Sequence, residues 1–149
     1  MKYALSRLLA ICLLAICFGA LSSVPAMAKN GKQQAPLTVK NIGVTREGDG
    51  ELLCLDFSEP YVPELSTIDD AEKPRVFFDV QPVAQWKGKA TYDVNGTFIH
   101  QVRTGHTEKE QRLRVVLDLD PRYNYMVKPS FNDEYNLFCI AISARSIRE

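Results

Sequence analysis

Arg75-Val-Phe-Phe-Asp-Val80 and Arg114-Val-Val-Leu-Asp-Leu119 are near-copies of one phrase, and their reading decides the fold. On a β-strand, successive side chains point to opposite faces. Val76, Phe78 and Val80 therefore share one face, as do Val115, Leu117 and Leu119. Both phrases have a dry face. Their other faces carry Arg75, Phe77 and Asp79, and Arg114, Val116 and Asp118. An Arg and an Asp four residues apart on one strand are about 13 Å apart, too far to pair with each other. They pair across strands, meet solvent, or meet a partner. The functional question is which.

Further strand-like phrases extend outward from these two. Leu37 to Thr45, Glu51 to Ser58, Thr97 to Thr104 and Asn136 to Ser143 join Pro74 to Gln81 and Gln111 to Asp120, with weaker segments at Tyr92 to Val94 and Tyr125 to Lys128. Gly48-Asp49-Gly50 signals a hairpin, and Gly105 to Gln111 a longer polar loop. Pro60, Pro63, Pro82, Pro121 and Pro129 stand where strands are expected to end. No stretch sustains helical periodicity, and Glu64 to Ala71 makes one helical turn at most. Short strands separated by turn signals predict an all-β fold, a small β-sandwich of two short sheets. A weak internal echo also recurs at a spacing of about sixty residues. Val39-x-x-Ile42 matches Ile99-x-x-Val102, Leu53, Leu55 and Phe57 match Val115, Leu117 and Leu119, and Phe77 falls opposite Phe138. The echo predicts a duplicated hairpin-plus-strand unit, each copy a half-sheet packed on the other.

Residues 1–28 read as a cleaved signal peptide, with Lys2 and Arg7 at a basic start, an apolar run from Leu8 to Leu21, and Ala26-Met27-Ala28 as an A-x-A cleavage site. The apolar run is short for a membrane span, so no membrane insertion is expected after cleavage. Lipidation is not expected either, because Ile11 and Ile16 precede Cys12 and Cys17. Residues 29–36 read as a flexible tether, and 37–145 as one domain. Removing 28 of the 149 residues leaves 121, with 16 basic residues against 18 acidic ones. That balance offers no electrostatic case for nucleic acid or anionic lipid. Cys54 and Cys139 remain, both in apolar runs. In an oxidising compartment they form one disulfide, or else they stay buried thiols; sequence leaves both open.

The phrases Arg75-Val76 to Asp79-Val80, Ile99 to Val102-Arg103-x-Gly105 and Arg114 to Leu119, in this order and behind an export leader, resemble the AMIN domain. That module accompanies periplasmic N-acetylmuramoyl-L-alanine amidases and type IV pilus secretins. The resemblance spans about Leu37 to Ser143. It implies a β-sandwich that localises its owner in the envelope, with peptidoglycan as the usual proposed ligand. Neither a catalytic domain nor a secretin body accompanies it here, so the module is expected to stand alone.

Zinc-dependent amide hydrolysis needs His and carboxylate ligands with an open coordination position. His100 and His106 are the only histidines and lie in no ligand spacing, so one reads as an ordinary strand residue and the other as a solvated loop residue. No metal, cofactor or catalytic residue is expected, and the protein is not expected to be an enzyme. The Asn95-Gly96-Thr97 sequon is read as chance. Arg75, Arg103, Arg112 and Arg114 attract more interest. Guanidinium forks suit carboxylates, which cell-wall stem peptides carry. The candidate ligand-binding set is Arg75, Asp79, Arg103, Arg114 and Asp118. The plainer reading pairs these same residues across strands on a solvated face. Among Tyr61, Trp86, Tyr92, Tyr123 and Tyr125, only Trp86 is expected to be exposed, offering a stacking surface for sugars. The expected function is a non-enzymatic periplasmic module binding peptidoglycan, its oligomeric state open. The alternative is docking on an envelope protein of a pilus or secretin assembly through a strand edge.

Overall fold

The computed structural model describes residues 36–145. The expected signal peptide at 1–28 and all but the last residue of the expected tether at 29–36 lie outside the described residues. Among the described residues, nine strands follow in chain order: β1 (Val39–Glu47), β2 (Gly50–Phe57), β3 (Leu65–Ile68), β4 (Arg75–Val80), β5 (Thr91–Asp93), β6 (Ile99–Thr107), β7 (Arg112–Leu119), β8 (Tyr125–Asn132) and β9 (Leu137–Ala144). They form two antiparallel sheets, ordered β1-β2-β9-β8 and β3-β4-β7-β6-β5, in a small β-sandwich.

Period-two burial builds the core. In β4, Val76, Phe78 and Val80 are buried, and in β7 so are Leu113, Val115, Leu117 and Leu119. β2 contributes Leu53, Leu55 and Phe57, and β9 contributes Phe138, Ile140 and Ile142. Phe78 and Phe138 meet edge-to-face between the sheets, with ring centroids 5.8 Å apart, the offset that ring quadrupoles favour. The β1–β2 hairpin closes on a two-residue loop in which Gly48 takes φ 59°, a left-handed position that glycine adopts without Cβ strain.

The echoed halves do not each form their own half-sheet. The β1–β2 hairpin pairs through β2 with β9, and the β6–β7 hairpin pairs through β7 with β4. Each sheet thus holds one hairpin from each half, and β5 extends the second sheet. A hairpin alone would leave an inner edge of unpaired N–H and C=O groups, and interleaving closes that edge. The echo also needs a correction of one residue. Leu55 pairs with Phe138, and Leu117 pairs with Val76. Phe138 therefore corresponds to Val76, and Phe77, on the outer face, corresponds to Cys139.

Two local expectations also change. Leu65–Ile68 is a strand, not a helical turn, because β4 pairs with it along its whole length. Pro129 lies inside β8 opposite Ile140 instead of ending a strand. β8 is an edge strand, where a missing N–H that faces away from the sheet costs no ladder bond.

Candidate functional site

The outer face of the five-stranded sheet collects the charged side chains that alternate with the core. The ladder sets Arg75 opposite Asp118, Phe77 opposite Val116, and Asp79 opposite Arg114 on β4 and β7. On β6, Gln101 stands opposite Asp118, Arg103 opposite Val116, and Gly105 opposite Arg114. All five candidate residues thus share one face.

Four of them form two bidentate pairs. Arg114 donates through Nε and Nη2 to the two oxygens of Asp79, at 2.8 Å each. Arg103 donates to Asp118 through Nε at 2.5 Å and Nη2 at 2.7 Å. Hydrogen bonds from Arg114 hold the Asp79 carboxyl below its ordinary range, and Asp79 raises Arg114 in return. Asp118 likewise raises Arg103 through its hydrogen bonds. These side chains are partly exposed, where such a pair contributes about 0–1 kcal/mol to the fold.

Arg75 differs. Its ladder neighbour Asp118 is already engaged on both oxygens by Arg103. Arg75 instead donates Nε to the Lys73 carbonyl at 3.2 Å. Among the described residues, no carboxylate lies within 4.0 Å of it. Arg112, the other arginine of interest, reaches Glu110 at 2.9 Å and Asp79 at 3.9 Å.

Between these cations lies a groove of about 160 Å³, lined by Ile68, Arg75, Phe77, Arg103, Arg114 and Val116. Its floor is apolar and its rim holds three guanidiniums. The Arg114 guanidinium lies over the Phe77 ring, 5.2 Å from its centroid, within cation–π range. A larger hollow of about 400 Å³ opens between Pro36–Lys40 and Ala84–Lys87, but the guanidiniums converge on the smaller groove.

Elsewhere the expected roles shift. Trp86 is not an exposed platform. It is half-buried against the core and donates Nε1 to Thr104 Oγ1 at 3.0 Å. His106 is not a solvated loop residue, since β6 extends through Thr107 and half-buries it. Its Nε2 donates to the Val83 carbonyl at 2.8 Å, so that nitrogen carries a proton. Cys54 and Cys139 face each other across β2 and β9 and are disulfide-bonded, with Cα atoms 4.1 Å apart.

Two buried carboxylates went unread in the sequence. Glu51 sits on the inner face at the start of β2, in phase with Leu53, Leu55 and Phe57. Its oxygens accept from the backbone N–H groups of Thr97 at 2.5 Å, Phe98 at 3.1 Å and Ile99 at 2.7 Å. It therefore ties one sheet to the entry of β6 in the other. The signal was present, because strict alternation turns Glu51 inward. Asp120, also buried, accepts from the backbone N–H and the guanidinium of Arg122 and lies 3.4 Å from His100 Nε2. The Tyr125 hydroxyl donates to the Asp120 carbonyl. The Arg122 hydrogen bonds pull the Asp120 carboxyl down to about 2. No alternation announced Asp120, which lies just beyond β7.

Neither protein-family models nor curated proteins yield a match to this chain.

Proposed function

We propose that this protein is an exported, non-enzymatic, AMIN-like module that binds peptidoglycan in the bacterial periplasm through the outer face of its five-stranded sheet. The observation that carries this reading is the convergence of Arg75, Arg103 and Arg114 around one apolar-floored groove. Arg103 and Arg114 are each bound by one carboxylate, Asp118 and Asp79, which leaves the Arg75 guanidinium without a carboxylate contact at the groove. Guanidinium forks bind carboxylates in two-point geometry, and stem peptides supply carboxylates. Export rests on the leader, whose A-x-A site ends at Ala28.

Co-sedimentation of the purified protein with peptidoglycan at low salt tests the reading. Wild type is expected to sediment, and less so as salt rises, since exposed charges are screened beyond about 10 Å at 0.1 M. Arg75→Ala, Arg103→Ala and Arg114→Ala are expected to weaken sedimentation while moving stability by no more than about 1 kcal/mol. N-terminal sequencing of the periplasmic protein is expected to begin at Lys29.

A second reading, docking on an envelope protein, is favoured by β3. It is a four-residue edge strand with Ser66, Thr67 and Ile68 exposed, and Val62 stands exposed just before it. An added strand would pair with that edge. Wild-type protein left wholly in the supernatant at low salt would retire wall binding and bring this reading forward.

A further inference from the structure

We propose that the outer-face groove takes a terminal carboxylate bearing one small apolar group, such as the alanyl end of a peptide, with the carboxylate on Arg75 and the methyl over Phe77 and Val116. This rests on the wall-binding reading above and names the part of the wall that is held.

Donor geometry carries the first step. Arg103 and Arg114 each spend Nε and Nη2 on an aspartate. A guanidinium has five N–H donors, so the Nη1 group of each remains over, without a hydrogen-bond partner among the described residues. Arg75 spends Nε alone, on a carbonyl. Its Nη groups also lack a partner there. Donors thus remain at three corners of the groove, and Arg75 is the corner that no carboxylate contacts within 4.0 Å, although Asp70 feels its charge at longer range.

Charge selects the ligand class. One guanidinium without a carboxylate contact matches a monoanion, and a planar carboxylate answers the planar fork with two parallel hydrogen bonds. The floor selects its substituent. Phe77 and Val116 are half-buried and Ile68 is exposed, so an apolar group laid there removes apolar surface from water. Size agrees with a chain end. The groove is shallow, about 160 Å³, and its apolar floor is the width of the Ile68, Phe77 and Val116 side chains, which one small apolar group covers.

The test titrates purified protein with N-acetyl-D-alanyl-D-alanine and with its C-terminal amide, followed by ¹⁵N NMR. The acid is expected to shift the signals of Arg75, Phe77 and Val116 saturably, and the amide to bind at least tenfold more weakly. Arg75→Gln should weaken the acid at least tenfold with an unchanged melting temperature, whereas Lys128→Gln, on the other sheet, should leave it unaltered. Equal binding of acid and amide, shifts confined to other residues, or no shifts would overturn the proposal, and none of these needs a variant to fold. Sedimentation with peptidoglycan separates the two claims. Retained sedimentation without groove shifts refutes the alanyl carboxylate and leaves wall binding standing. Groove shifts without sedimentation do the reverse.

Discussion

Glu51 shows what one inward-facing acid does at the mouth of a sandwich. Three backbone N–H groups converge on its carboxylate, two of them, Thr97 and Phe98, just ahead of β6. Glu51→Ala removes the acceptor and leaves buried donors unpaired, a cost of about 1–3 kcal/mol. A urea melt is expected to show that loss. Gly96 has a related constraint, since a Cβ there would stand 2.5 Å from the Glu51 carboxylate oxygens. Asp120 predicts an acid limb of stability. Its folded pKa, about 2, lies below the ordinary 3.8, so its contribution is complete above about pH 4 and is lost as pH falls toward 2. Asp79 is shifted in the same direction. Melting temperatures measured from pH 5 to pH 2 should fall, and Asp120→Asn should flatten that fall. An unchanged slope in the variant would contradict the Arg122 assignment.

At the scale of the strand, face decides cost. Leu117 is fully buried in β7 between Val76 and Val102 across the ladder. Leu117→Ala is expected to destabilise by about 2–5 kcal/mol, the usual price of a large-to-small change in a packed interior. Arg112→Ala, on the outer face of the same strand, should cost about 1 kcal/mol or less. Equal urea midpoints would mean the register is displaced by one residue, which exchanges the faces. The disulfide acts between elements. It joins β2 to β9 across 85 residues of chain, and a loop of that length loses about 4.6 kcal/mol of unfolded-state entropy in the chain model, against a typical 2–4 kcal/mol observed. Reduction, or the Cys54→Ala/Cys139→Ala pair, is expected to lower stability by about 2–4 kcal/mol, measured by urea titration with and without reductant.

For the whole molecule, interleaving is the governing property. Each sheet needs a hairpin from both halves, so neither half can complete a sheet or cover its dry face. A fragment of residues 36–95 is expected to be unfolded by circular dichroism, and mixing it with 96–145 should restore β signal. A stable isolated half would show that the hairpins suffice alone. The same interleaving creates the groove, because Arg75 and Phe77 come from the first half, and Arg103, Arg114 and Val116 from the second.

Period-two alternation is a local property, so the dry faces of β4 and β7, the all-β class and the shared face of the five candidate residues were legible in the chain itself. So was the inward turn of Glu51, to a reader who followed the alternation past Leu53. β3 was not legible, since its four residues show almost no alternation and pairing with β4 makes it a strand. Nor was the exchange of hairpins between sheets, which arises because inner strand edges must be paired by some partner and sequence does not say which. The charges divide the same way. Alternation placed arginines and aspartates on one face, but a carboxylate has two oxygens and two guanidinium neighbours to choose between. Only the assembled ladder gave Asp118 to Arg103 and left Arg75 without a carboxylate partner.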